Sequence, residues 1–195
     1  MTDGYVPIYR RRREGLTDYG ARKKAVTSRH TLLAVRITDK NVTSQFLLPK
    51  EGGDEVLSSS HSRQLLKLGW KGSLKSTPAC YLLGLYSGKR ALEKGVKAAV
   101  LYNGVEPFVR GSRVAAFVKG VVDAGVSVPV GEEALPSQER VSGKPIADYA
   151  SKLASEDKDL YSKAFSTLTK RGFKPEEYPL NFEATRSAIM GSGKK

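Results

Sequence analysis

From Thr31 to Leu48 the side chains can be assigned to two faces with a period of two, and this pattern predicts β-strands. One face of the first strand carries Leu33, Val35 and Ile37, and the other carries Leu32, Ala34 and Arg36. Residues 39–41 supply turn-forming side chains before the alternation resumes. The pattern predicts a β-hairpin.

The next hundred residues switch between strand and helix patterns. Their order predicts a small mixed sheet with helices packed on it, an α/β fold of the α+β-like kind. The predicted elements are a short strand from Asp54 to Ser59, a helix capped by Ser60 and ended by Gly69, a helix capped at Ser76-Thr77-Pro78, a buried strand from Lys97 to Asn103 and an amphipathic helix from Ser112 to Ala124.

Beyond Pro129, prolines punctuate short helical patterns over residues 146–153, 160–168 and 181–190. These predict a helical extension that packs against the core or against a partner. Residues 191–195 have the composition of a loose tail. We therefore expect a basic N-terminal arm over residues 1–30, an α/β core over residues 31–130 and a helical C-terminal extension over residues 131–195.

The net charge of +13 is concentrated in the first two of these regions. Residues 1–40 carry ten Lys or Arg against four Asp or Glu, and residues 41–130 carry twelve against six. Residues 131–190 are nearly balanced, with nine against ten. Because a polyanion releases condensed counterions when cations neutralise its phosphates, a localised positive charge favours a polyanionic partner.

The arm contains four consecutive arginines, Arg10 to Arg13, with tyrosines on both sides. Little apolar material accompanies them, so we expect the arm to be disordered or only locally helical without its partner. The arginines repel one another, and we expect them to be extended among phosphates. Guanidinium groups match phosphate oxygens and tyrosine rings stack on unpaired bases, which favours RNA over a solvated tail or a nuclear-localisation-like patch.

No constellation for catalysis or metal binding is evident. His30 and His61 do not stand at a metal-ligand spacing, and the single cysteine, Cys80, is typical of a small buried residue. The serines around His61 suit helix capping better than a nucleophile, and Asp123 suits a structural acceptor. The segment from Gly84 to Arg90 departs from the P-loop spacing and continues a helix. We expect no enzyme activity, cofactor, metal or small-molecule substrate.

Two other classes are also disfavoured. No apolar run approaches the length of a membrane span and no secretory signal is evident, so we expect no membrane partner and a cytoplasmic location. A DNA-binding protein would need a recognition helix, and the helix over residues 112–124 offers only Arg113 and Lys119.

The arm sequence from Arg10 to Tyr19, RRRREGLTDY, resembles the arm of the archaeal and eukaryotic large-subunit ribosomal proteins that bind 5S rRNA. This is universal family eighteen, called protein five in eukaryotic large subunits. The resemblance continues in order through most of the chain. The matching stretches are residues 61–70, 77–84, 111–114, 119–125, 128–129, 139–144 and 171–176.

There are two departures, Cys80 where the family commonly has alanine and Tyr102-Asn103 where an Asp-Ile pair is usual. No long basic extension like that of the eukaryotic members follows the last helix pattern, so the archaeal form is the more similar.

The resemblance implies a structural protein of the central protuberance that holds 5S rRNA against the large-subunit rRNA, beside neighbouring ribosomal proteins. It carries RNA contact over to arm residues. These are Arg10, Arg11, Arg12, Arg13, Tyr19, Arg22, Lys23 and Lys24.

Physical argument adds six further candidates, Tyr9, Arg29, Arg36, Trp70, Lys71 and Lys75. Arg36 shares a strand face with Leu32 and Ala34, where a buried unpaired charge would be costly unless that face meets phosphate. Trp70 follows a helix-ending glycine, where a core position is more common than a base-stacking platform, and both alternatives stay open.

Overall fold

The computed structural model describes residues 7–191, so the first six residues of the arm and residues 192–195 of the predicted tail lie outside the described part. The strands are β1 (Leu32–Ile37), β2 (Val42–Leu48), β3 (Glu55–His61) and β4 (Val100–Leu101). The helices are α1 (Arg10–Arg13), α2 (Tyr19–Ser28), α3 (Gln64–Lys67), α4 (Thr77–Glu93), α5 (Arg113–Asp123), α6 (Gln138–Ser142), α7 (Lys144–Glu156), α8 (Lys158–Ala164), α9 (Ser166–Thr169) and α10 (Tyr178–Gly191).

The four strands form one mixed sheet in the order β3-β2-β1-β4. β1 and β2 are the predicted hairpin, and their antiparallel register runs from Leu32 opposite Leu47 to Ile37 opposite Val42. β4 pairs in parallel with β1. The mixed sheet with helices packed on it confirms the predicted fold class.

Alternation gives the sheet two chemically different faces. Leu33, Val35 and Phe46 point into the main hydrophobic core beneath α4 and α5. Leu32, Ala34, Arg36 and the polar residues Thr43 and Gln45 lie on the opposite face, as the sequence pattern predicted for β1.

β3 is longer at its end than expected, because Ser60 and His61 pair with Ser44 and Thr43 of β2. The prediction that Ser60 caps a helix is therefore wrong. The following helix, α3, starts only at Gln64, and its N-terminal flanking residue Arg63 makes no side-chain cap. A serine before a helical pattern often caps the helix, but at Ser60 the pairing of the backbone with β2 extends the strand instead.

α4 and α5 cross at close range, and glycines make that approach possible. A Cβ at Gly84 would collide with the Phe117 carbonyl oxygen, and one at Gly120 would collide with the Tyr81 carbonyl oxygen. α5 lies within the predicted helix, and Ser112 caps it by accepting a hydrogen bond from the Ala115 N–H at 3.2 Å. α4 begins where expected, but the Ser76 hydroxyl donates to the Ser73 carbonyl and does not cap the helix.

The C-terminal helices pack on the core. Leu168, Phe173, Tyr178, Phe182 and Ile189 belong to the same buried cluster as the sheet and α4. The predicted helix over residues 160–168 is two helices, α8 and α9, separated at Phe165, whose φ of −108° is not helical.

Candidate nucleic-acid interface

The arginine run forms one helical turn, α1, with no buried residue. This turn fits the expectation that the arm is only locally helical without its partner, and the extended form expected among phosphates stays a prediction. Arg10 Nε donates to Glu14 Oε1 at 2.9 Å, and Arg11 Nε donates to the Thr17 hydroxyl at 2.8 Å. The Glu14 carboxylate offsets part of the repulsion among the arginines, and both contacts help to hold the turn in place.

Several cations of the arm remain available to a ligand. Within residues 7–191, no acidic side chain forms an ion pair with Arg12, Arg13, Lys23, Lys24 or Arg29, and all five are exposed. Arg29 ends α2 in the left-handed region, with φ 53°. A cluster of exposed cations without local partners is the electrostatic footprint expected of a phosphate-binding surface.

α2 fixes the second half of the arm to the core. The Ala25 side chain of α2 forms a small buried cluster with Leu32 and Leu47. Ala34 and Tyr102 are partly buried and pack against this cluster. Arg22 forms a bidentate ion pair with Asp54, in which Nη1 donates to Oδ2 at 2.8 Å. This hydrogen bond, with the nearby carboxylate charge, raises the pKa of the Arg22 guanidinium. Arg22 is therefore occupied in holding α2, unlike its neighbours Lys23 and Lys24.

Two tyrosines stand together beside the arginine run. The rings of Tyr9 and Tyr19 lie 5.4 Å apart between centroids, tilted by 40°, and both side chains are exposed. Exposed aromatic rings next to unpaired guanidinium groups combine a stacking surface with phosphate donors.

Arg36 lies on the sheet face that α2 leaves open, and its side chain is exposed. Its cross-strand partner is Thr43, and no residue between 7 and 191 forms an ion pair or a side-chain hydrogen bond with it. The same open face carries Gln45 and lies between the arm and the loop after β4. Arg36 thus presents its charge on a polar strand surface.

Trp70 is not available for base stacking, because it is 1 % exposed and packs edge-on against Tyr178 with ring centroids 5.7 Å apart. Its indole Nε1 donates to the Ser73 carbonyl at 3.2 Å. The core position is therefore correct, and Trp70 is withdrawn from the RNA-binding candidates.

Lys71 and Lys75 are exposed on the loop before α4. Lys75 borders a cleft of about 840 Å³ at the turn end of the β1–β2 hairpin, which the C-terminal helices close. The charged residues that line this cleft are Asp39, Lys40, Arg63, Lys75 and Arg171. Sequence reasoning missed three of its four cations, since Lys40, Arg63 and Arg171 come from separate elements and share no local motif.

The residues tested for chemistry have structural roles. Gly84 to Arg90 lies within α4, as predicted. Asp123 accepts a 2.7 Å hydrogen bond from the Tyr81 hydroxyl, and Cys80 is fully buried, which raises its thiol pKa to about 12. Among residues 7–191 there is no group of three or more His, Cys, Asp or Glu suited to a metal ion.

Of the two cations on α5, only one is exposed, and no membrane span is found in the described part of the chain. On α5, Arg113 is exposed, but the Lys119 ammonium donates to the Pro136 carbonyl at 2.8 Å and is held by the core. None of the helices between residues 7 and 191 combines the length and apolar character needed to cross a bilayer.

Comparison with known proteins gives a consistent result. Residues 5–108 match the family model described as ribosomal large subunit proteins 60S L5 and 50S L18. The chain is 45% identical to large ribosomal subunit protein uL18 of Methanothermobacter thermautotrophicus over 185 residues, which is 95% of each chain. It is 47% identical to uL18 of Aeropyrum pernix, covering 94% of this chain and 86% of that one. With uL18 of Saccharolobus solfataricus the identity is 43%, over 94% of this chain and 92% of the relative.

Proposed function

The chain belongs to the L5/L18 family of large-subunit ribosomal proteins, in its archaeal uL18 form, and from that premise we propose that it binds 5S rRNA. As a family member it is a structural constituent of the large ribosomal subunit in the cytoplasm, and the family is not one of enzymes. The further proposal is that it anchors 5S rRNA to the large-subunit rRNA in the central protuberance, beside other ribosomal proteins.

The observation that carries this proposal is the set of exposed cations in the arm that have no acidic partner between residues 7 and 191. A cation held in a part-buried ion pair would contribute little to RNA affinity, whereas each well-exposed cation that meets a phosphate adds to counterion release. The proposed contacts are Tyr9, Arg10, Arg11, Arg12, Arg13, Tyr19, Lys23, Lys24, Arg29, Arg36, Lys71 and Lys75. Arg22 belongs to this surface by position but acts through its ion pair with Asp54.

The anchoring part of the proposal is supported by the separation of two basic surfaces. α2 covers the Leu32–Leu47 end of the hairpin, and the cleft with Lys75 lies at the opposite, turn end. Five residue steps separate Leu32 from Ile37, or roughly 17 Å at 3.3 Å per residue. Two basic surfaces at this distance can engage two RNA segments at once.

Binding should be tested by filter titration against 5S rRNA, a duplex DNA of the same length and tRNA. We expect 5S rRNA to bind most tightly at a fixed salt concentration. Equal affinity for all three would show that the protein binds nucleic acids only through non-specific charge, and would overturn the proposal.

The arm's role is tested by a matched pair of double variants. Replacing Arg12 and Arg13 with Gln should weaken 5S rRNA binding and reduce the slope of log affinity against log salt by about one unit per lost contact. Replacing Lys163 and Lys170 with Gln removes the same charge from exposed positions in the balanced C-terminal third. That control should leave affinity and slope close to those of the wild type.

A further inference from the structure

A pocket of about 440 Å³ lies on the open face of the sheet, between the loop that follows α1, strands β1 and β2, and the loop that follows β4. Its polar wall contains Arg36, Thr43, Gln45 and Asn103, and its apolar wall includes Leu16 and Tyr102. The pocket therefore stands between the arm and the sheet.

We propose that this pocket receives a single unpaired nucleobase, with adenine preferred, a proposal that rests on the protein's proposed binding of RNA. Unpaired bases of structured RNA are commonly recognised by stacking and by hydrogen bonds to their edges. The pocket offers both kinds of contact at one place.

Two side-chain amides supply the hydrogen bonds. Gln45 forms no side-chain hydrogen bond with any residue between 7 and 191, so both its donor and its acceptor are free. An amide pairs with the N6 and N7 edge of adenine through one accepted and one donated hydrogen bond. This match assigns adenine as the preferred base.

Asn103 is held in place at the pocket's edge. Its Nδ2 donates to the Glu106 carbonyl at 3.1 Å, which fixes the amide. Its Oδ1 is buried and has no hydrogen-bond donor among the described residues. A buried acceptor without a donor is unfavourable, and a donor from a ligand that opens the edge of the pocket would satisfy it.

The apolar wall and the charges suit a nucleotide as a whole. Tyr102 is half-buried and packs on the Ala25, Leu32 and Leu47 cluster, so its ring is a fixed surface. Leu16 is 54 % exposed at the arm side. Arg36 supplies a cation for the adjoining phosphate, and the one carboxylate in the lining belongs to Glu106.

The test uses the full chain and three RNA heptamers, UUUAUUU, UUUCUUU and UUUUUUU, which differ in a single base. We expect the wild type to prefer the adenine heptamer by about tenfold, the order of one amide–base pair. The Q45L variant removes the amide without changing charge and should bind all three alike. The Q138L variant changes a glutamine that is exposed on α6, away from the pocket, and should keep the preference.

A second variant guards against a folding defect in Q45L. Q45E keeps the shape of the side chain but offers only acceptors, which match the N4 amine of cytosine. We expect its preference to move from the adenine to the cytosine heptamer, while thermal unfolding stays close to that of the wild type. Loss of folding would not produce a change of preference.

The inference is overturned if the wild type binds the three heptamers equally or if Q45L keeps the adenine preference. This failure is distinct from failure of the proposed function. If the protein binds 5S rRNA specifically but does not discriminate among the heptamers, only the proposal for the pocket is rejected. If the protein discriminates among the heptamers but binds 5S rRNA no more tightly than tRNA, the proposal of 5S rRNA binding is rejected and the proposal for the pocket stands.

Discussion

The Arg22 guanidinium in α2 forms a bidentate ion pair with the Asp54 carboxylate. Asp54 lies 32 residues further along the chain, one residue before β3. Both side chains are one-quarter exposed, so solvent screens the pair only in part. Together with Ala25, this ion pair divides the arm into a free half around α1 and a fixed half, α2.

The D54N variant should loosen α2 while the core remains folded. Because an ion pair near the surface contributes about 1 kcal/mol or less, the melting temperature should change little. Hydrogen exchange of the α2 amides should become faster. The E51Q variant, an exposed acid in the same loop, provides the control. Unchanged exchange in α2 for D54N would show that Ala25 packing alone holds the helix.

Two truncations should separate the halves of the arm. Deleting residues 1–17 removes α1 but leaves Ala25 packed, so stability should be unchanged while the salt dependence of RNA binding becomes shallower. Deleting residues 1–30 also exposes Leu32 and Leu47, and should cost on the order of 1–2 kcal/mol in unfolding free energy with the core still folded. Denaturant titrations and RNA titrations measure the two effects. Equal stability of both truncated proteins would contradict the packing role of α2.

Gly84→Ala should destabilise the protein severely, by about 3 kcal/mol or more, because the new Cβ would collide with the backbone carbonyl of Phe117. Gly131→Ala is the matched control, since a Cβ there would meet nothing within 4 Å and the backbone is not left-handed. Its unfolding free energy should stay within about 0.5 kcal/mol of the wild type. Urea unfolding compares the two, and a mild effect at Gly84 would mean that α4 and α5 can separate without loss of packing.

Ser60→Ala should raise stability, or at least not lower it. The Ser60 hydroxyl is buried and unpartnered among the described residues, so its removal relieves a desolvation penalty of about 1 kcal/mol. Ser44→Ala is the informative comparison, because Ser44 and Ser87 share a 3.0 Å hydrogen bond and the change leaves one buried hydroxyl alone. We expect opposite signs for the two variants in thermal unfolding. Destabilisation by both would indicate a partner for Ser60.

Titration of the Cys80 thiol should lower the free energy of unfolding at alkaline pH. Burial raises the thiol pKa from its ordinary value of 9.0 to about 12 in the folded protein, so above pH 9 the unfolded chain loses a proton that the folded chain keeps. The contribution of Cys80 to stability is therefore present below pH 9 and declines between pH 9 and pH 12. The C80A variant should show a shallower decline, although Tyr81, whose pKa is also raised by burial, contributes in the same direction.

A thiol-specific reagent gives an independent check on Cys80. Because the side chain is fully buried, it should react at neutral pH only at the rate of unfolding. Fast labelling of the native protein would contradict this burial.

The sequence predicted best where a local pattern determines the structure. The alternation of residues 31–48 predicted the hairpin and the placement of Arg36 opposite the core, because a period of two assigns each side chain to a face. The helix over residues 112–124 was also predicted correctly, since its apolar residues recur at helical spacing. The prediction that Ser60 caps a helix was wrong, because Ser60 pairs with Ser44 across the sheet and this pairing depends on residues distant in the sequence.

Long-range contacts account for what the sequence could not reveal. The ion pair of Arg22 with Asp54 and the burial of Trp70 against Tyr178 join residues with no shared motif. The pocket around Gln45 could be anticipated only in part. Alternation places Gln45 on the same face as Arg36, but Asn103 and Leu16 reach it from other elements.

The contact between α4 and α10 has a consequence for the order of events during translation. The Lys89 ammonium donates to the carbonyl oxygens of Ile189 and Met190, 100 and 101 residues later, and Phe182 packs on Tyr81 with ring centroids 5.6 Å apart. At about 5–20 residues per second, those 100 residues take about 5–20 s to synthesise. The part of the α4 surface that contacts α10 stays uncovered through that interval, although the arm is synthesised first. A nascent chain can therefore offer its cations to RNA before α10 packs on the core.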